Sequence, residues 1–266
     1  MLKYFQVFKF YLGGIFVAGH SKWANIQHRK GRQDKLRGKL FTRISKEISI
    51  SAREAGGNPE FNPRLRLALD KAKSANMPKD NIDRAVKKGT GELEGVDYVE
   101  ITYEGYGPSG VAFVVEVVTD NKNRSASSVR SNFAKNGGNL GSDGAVSWMF
   151  HKKGMLVFLN TGLNLDDFML IALEAGAEDI QEEEENFVIY TDFSDFNTVK
   201  ENIEKEGYNP TNAEITMIPE NMVEVNNEET AKQIMKLYDS LEDNEDVQNI
   251  YANFEISEEL MDKISS

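Results

Sequence analysis

The stretch His20–Lys46, HSKWANIQHRKGRQDKLRGKLFTRISK, carries nine lysines and arginines (Lys22, Arg29, Lys30, Arg32, Lys35, Arg37, Lys39, Arg43 and Lys46) against one acid, Asp34. The whole chain of 266 residues has a formal net charge of −12, so this local excess is not a reflection of average composition. Clustered ammonium and guanidinium groups are the chemistry of phosphate neutralisation, and such a cluster is the usual footprint of a polyanion partner. Trp23 stands among the cations. Its indole suits stacking on an exposed base and equally suits anchoring the segment to a core, and both readings stay open. His20 and His28 flank the cations with no carboxylate nearby to complete a metal site, which favours phosphate or base contact. The candidate nucleic-acid-binding set is therefore His20, Lys22, Trp23, Arg29, Lys30, Arg32, Lys35, Lys39, Arg43 and Lys46, with no metal and no cofactor expected.

Other chemistry finds little footing. There is no cysteine, which removes disulfides, thiolate catalysis and cysteine-ligated metals, and fits a reducing, cytoplasmic setting. No GxxxxGK[ST] phosphate loop is present, and the glycine-rich run Gly137–Gly144 is expected to be a helix stop and turn entering a strand. Asn121, Lys122, Asn123 and Arg124 open a helix, a place where amides and cations can hold phosphate, although a plain helix start explains them. Glu182–Glu185 is expected to be a solvated hairpin, because consecutive strand residues point to opposite faces. No nucleophile–base pair can be drawn, and no enzymatic activity is expected.

The elements that would position the cations follow from periodicity. Gln33–Ala55 is expected to be an amphipathic helix. At 100° per residue, Arg32, Lys35, Lys39, Arg43, Lys46 and Arg53 fall within about 80° of one another, with Leu40, Phe41, Ile44, Ile48, Ala52 and Ala55 opposite. Gly56-Gly57 ends it, Asn62-Pro63 starts a second helix, and Pro78 opens a third that stops at Gly89. Strand periodicity follows: strands at 98–104, 111–118 and 145–150 surround a helix at 122–136. Residues 154–218 read β, α, β, β, α, β, the split βαβ or ferredoxin-like pattern. The tail adds a helix at 228–242 and a strand at 247–256.

The expected fold class is α+β and multidomain: a small N-terminal helical bundle followed by two α/β, ferredoxin-like domains, one inserted in the other. The boundaries expected are a basic helical domain at 18–95, an α/β domain from 96–150 plus 219–266, and an inserted domain at 151–218. Residues 1–17, apolar and interrupted by Lys3, Lys9 and Gly13-Gly14, are expected to be an extension outside the folded core, with the functional start at Val17. Charge divides along the same lines. Residues 18–95 hold eighteen basic and nine acidic residues, whereas 96–266 hold eleven basic and thirty-four acidic ones. A basic head on an acidic body implies that only the head meets phosphate.

The segments AGHSKWANIQHRKGRQDKLRGKLFTRISKEI, NPRLRLALDKAKSANMPKDNIDRAVKKGTG and YEGYGPSGVAFVVEVVTDNKNRSASSVRSNFAKNGGNLGSDGAVSWMFHKKG closely resemble the YebC/PmpR family, and the likeness runs from residue 18 to the end. The resemblance implies an N-terminal helical domain, two α/β domains and nucleic-acid binding without catalysis. Members of that family are described as DNA-binding transcriptional regulators or as ribosome-associated translation factors that relieve stalling, and a mitochondrial relative activates translation of cytochrome oxidase subunit I. The partner is thus expected to be DNA, or structured RNA and the ribosome, with no membrane and no small-molecule substrate. A protein-interaction scaffold is the reading from another class.

Overall fold

A computed structural model describes residues 33–160, 164–182 and 186–265. Helix α1 (Gln33–Ala55) forms where apolar residues recur at three- and four-residue spacing. That side buries Ile44, Ile48 and Ala52 against Leu65, Ala68 and Ala72 of helix α2 (Pro63–Ser74) and Ala85 of helix α3 (Lys79–Gly89). Asn62 joins the first two helices. Its side chain accepts the Leu65 N–H at 3.0 Å as the α2 cap and donates to Ser51 O at 2.7 Å and Gly56 O at 2.8 Å. A Cβ at Gly89 would stand 2.3 Å from Ser49 O, so the close approach of α3 to α1 requires glycine there.

A linker leads to β1 (Val99–Tyr106), β2 (Ala112–Thr119), α4 (Lys122–Lys135) and β3 (Asn139–Leu140). Then come β4 (Phe150–Leu159), α5 (Leu165–Ala175), β5 (Asp179–Glu182), β6 (Asn186–Asp192), α6 (Phe196–Lys205) and β7 (Asn212–Pro219). The chain finishes with β8 (Val223–Glu224), α7 (Glu228–Glu242), β9 (Val247–Ala252), β10 (Phe254–Glu255) and α8 (Glu258–Ser265).

The described residues form two compact units. One runs to Met149 and resumes at Pro219, and the other is Phe150–Ile218. In the first, a four-stranded sheet has the order β3-β1-β2-β9, and β8 pairs β10 separately. Strand β2 is the best-buried strand, because both its neighbours pair with it and its apolar side packs on Val129 and Phe133 of α4 and on Ile234, Leu237 and Leu241 of α7. In the second, the order β5-β6-β4-β7 is that of the split βαβ pattern. Phe168 of α5 fills its centre, 5.0 Å from the Phe158 ring and 5.5 Å from Phe187. The architecture is α+β, with a helical N-terminal part and two α/β sheets, and the two sheets reach it by different strand orders.

The strand expected at 145–150 is not formed as such. Ser147–Met149 is a 3-10 turn, and the strand begins at Phe150. The cause is Glu104 on β1, whose carboxylate accepts the N–H groups of Gly144 (2.9 Å), Val146 (2.7 Å) and Ser147 (2.8 Å) and curls the backbone around itself. Burial pushes this carboxyl up, yet the three amides outweigh it and hold it below the usual carboxylate range.

Candidate nucleic-acid interface

Of the ten candidate residues, His20, Lys22, Trp23, Arg29, Lys30 and Arg32 lie outside the described residues, and Lys35 is placed only as a backbone position one turn before Lys39 on α1. The other three are Lys39, Arg43 and Lys46, and the structure gives each a partner within its own chain. Their common partner is the acidic corner Glu242-Asp243-Asn244-Glu245-Asp246, which joins α7 to β9.

Lys46 is only 7% exposed. Its ammonium donates to Val118 O at 3.0 Å, Glu245 O at 2.9 Å and Asp246 Oδ1 at 2.9 Å, and it lies 5.6 Å from the centre of the Tyr98 ring. Three donors meet three acceptors, so no proton of this group is left for a phosphate. The other oxygen of Asp246 accepts from Thr119 Oγ1 and from Arg124, each at 2.9 Å. Burial alone would raise the Asp246 carboxyl, but Lys46, Arg124 and Thr119 together hold it below its ordinary value. One turn earlier on α1, Arg43 donates to Glu242 O at 2.6 Å. Burial pushes its guanidinium down, against the opposing pull of Glu242, Tyr238 and Asp243. Lys39 pairs with the Asp243 carboxylate and donates to Asp243 O at 3.3 Å. Asp243 remains largely exposed, and an ion pair of that kind contributes at most about 1 kcal/mol.

Arg53, further along the same face, donates to Tyr98 O and pairs with Asp97 at 3.5 Å. On α2, Arg64 meets Glu47 and Glu54 of α1 at 2.8 Å and also Glu100 of β1, which binds helix to sheet a second time. Burial opposes the charge on Arg64, yet its bonds to Glu100 and Glu47 raise its pKa above the ordinary arginine value. The cation face that periodicity assigns to a polyanion is, from Lys39 to Arg53, an internal docking face. Reasoning from the sequence missed its acceptor. The available signal was the EDNED run at residues 242–246, four acids placed where a helix ends and a buried strand begins.

Two further motifs are absorbed by the fold, while residues 183–185 of the glutamate run lie outside the described residues. Arg124 bonds Asp120 at 2.6 Å, and Asn121 caps its own helix by accepting the Arg124 N–H at 3.0 Å. The glycine-rich loop packs on β1, where a Cβ at Gly138 would stand 2.6 Å from Tyr106 O. Among the described residues, no group of three or more His, Asp or Glu is placed to hold a metal ion, and no helix is long and apolar enough to cross a membrane.

Comparison with known proteins adds the identity of the scaffold. Residues 21–92 match the family described as "TACO1/YebC protein N-terminal domain", and residues 98–254 match "TACO1/YebC second and third domain". A Fusobacterium nucleatum protein named "Probable transcriptional regulatory protein" is 58% identical over 248 residues, covering 93% of this chain and all of the relative. A Persephonella marina protein of the same name is 55% identical over 250 residues, covering 94% of this chain and all of that one. The crystal structure of a conserved hypothetical protein from Aquifex aeolicus superposes with a TM-score of 0.80 at 49% identity, over 89% of this chain and 98% of that one. This chain, with its helical head docked on an α/β body, belongs to the TACO1/YebC family.

Proposed function

We propose that this protein is a non-enzymatic, nucleic-acid-binding regulator of gene expression. Its phosphate contacts come from the cationic segment that precedes the docked part of α1: Lys22, Arg29, Lys30, Arg32 and Lys35, with His20 and Trp23 available to a base or sugar. The observation that carries this reading is the division of one cation row. Lys39, Arg43 and Lys46 are taken up by the acidic corner at 242–246, so the phosphate contacts are assigned to the cations that precede them in the sequence. The name shared by the relatives supports a regulatory role.

Two targets divide the proposal. Reading a promoter requires base-edge contacts in a duplex groove, for which Asn25, Gln27 and Gln33 supply the side-chain types. Structured RNA is recognised mainly through backbone and shape, which suits a short row of cations beside a body that repels phosphate. The acidic body favours RNA. Five phosphates neutralised on a duplex would give log affinity a slope of roughly −4.5 against log salt. The test is that slope, measured for duplex DNA and for structured RNA in parallel. Steep salt dependence with RNA bound more tightly is the expected result, and a flat dependence on both would overturn the mechanism.

A further inference from the structure

Residues 154–199 hold eleven Asp or Glu and not one Lys or Arg. Within this stretch α5 exposes an apolar ridge. Phe168 and Ala172 are fully buried beneath it, while Met169 is 36%, Leu170 57% and Leu173 51% exposed. Single exposed apolar side chains need no explanation, but three neighbours on one helix face do. Asp166, Asp167 and Glu174 are exposed on the same outer side, and with the three apolar residues they cover roughly 160° of the helix.

We infer that the outer face of α5 is a docking surface for a basic, amphipathic helix of another protein. Such a partner brings leucine-type side chains to Met169, Leu170 and Leu173, and lysine or arginine to Asp166, Asp167 and Glu174. Charge decides among the possible occupants. Nucleic acid would set phosphates against carboxylates with no cation on the helix to neutralise either. A second copy docked through the same face would set Asp and Glu against Asp and Glu, which costs association energy at every pair. A cationic helix faces neither penalty. The surface goes beyond the proposed phosphate contacts and uses none of their residues.

The full chain is titrated by fluorescence anisotropy with two labelled peptides of about 18 residues. One is an amphipathic Leu/Lys helix with leucine at i, i+3, i+4 and i+7, and the other is a Lys/Gln peptide of equal charge. The expected result is at least about tenfold tighter binding of the Leu/Lys peptide. Leu170→Ser with Leu173→Ser should abolish that preference. Asp166→Asn, Asp167→Asn and Glu174→Gln together should weaken binding of both peptides and flatten its salt dependence. Both variants change exposed side chains only, and an unshifted thermal midpoint verifies that they fold. Equal binding of the two peptides, or a preference that survives the leucine substitutions, overturns the proposal. So does a concentration-dependent dimer in sedimentation that the leucine variant converts to monomer.

Discussion

Helices α1 and α5 depart from the simple amphipathic pattern in opposite directions. On α1 both faces are used inside the chain: Ile44, Ile48 and Ala52 pack on the bundle, while Lys39, Arg43, Lys46 and Arg53 are bound by acceptors near β1, β2 and the α7–β9 corner. On α5 the polar side is partly apolar and unburied, with Leu170 and Leu173 more than half exposed. Composition points the other way in each case, since α1 looks built for an external partner and α5 for a core. The difference teaches that periodicity predicts a helix and its two faces, but not which face stays inside. On α1, long-range charge complementarity decides that.

The contrast is open to experiment, beginning with the largest effect. Within α5, Phe168→Ala should destabilise the protein by about 3–5 kcal/mol, because this fully buried ring leaves a cavity among Phe158, Phe187 and Tyr208. On α1, Lys46→Ala should cost about 3 kcal/mol in urea unfolding, because it strands the carbonyls of Val118 and Glu245 and leaves Asp246 with Arg124 and Thr119 alone. A loss below about 1 kcal/mol would mean that Lys46 is not docked in solution.

Acid should weaken the same contact. The folded Asp246 carboxyl lies below its ordinary value, so its contribution is complete above the unfolded pKa of about 3.9 and is lost as pH falls from there through the folded value. Glu104 acts with the same sign. Asp246→Asn should therefore flatten the fall of stability below about pH 4, measured as urea midpoints across pH, and an unchanged pH profile would contradict the assignment. Smaller still, Lys39→Ala should cost no more than about 1 kcal/mol, because its partner is mostly exposed. Leu170→Ser and Leu173→Ser should change stability least, by about 0.5 kcal/mol or less each. A large loss there would show that the α5 ridge is core after all.

Local signals made much of the fold legible. The expected helices at 33–55, 165–175 and 228–242 match the observed ones end to end. Asn164 and Asn227 cap the latter two by accepting backbone N–H groups at 3.2 and 3.0 Å, and Gly176 closes α5 at a φ of +107°. The turn at 147–149 was not legible, because it answers to Glu104, about forty residues upstream. Nor was the α1 docking face, whose ends Lys39 and Asp243 stand 204 residues apart. No window along the chain holds both partners of such a contact. Strand β8 and helix α8 went unexpected for another reason, since a two-residue strand and an eight-residue helix carry too little periodicity, and the strand expected at 247–256 is broken at Asn253 into β9 and β10.

The central claim is that one cation row serves two purposes, divided between Lys35 and Lys39. The salt dependence of nucleic-acid binding tests it most directly in two variants of the full chain. Arg29→Gln, Lys30→Gln and Arg32→Gln together should reduce the log–log slope on duplex by about 2.7, whereas Lys39→Gln should move it by less than about 0.5. A slope unchanged by the triple substitution and lowered by Lys39→Gln would place the phosphate contacts on the docked face and contradict the account.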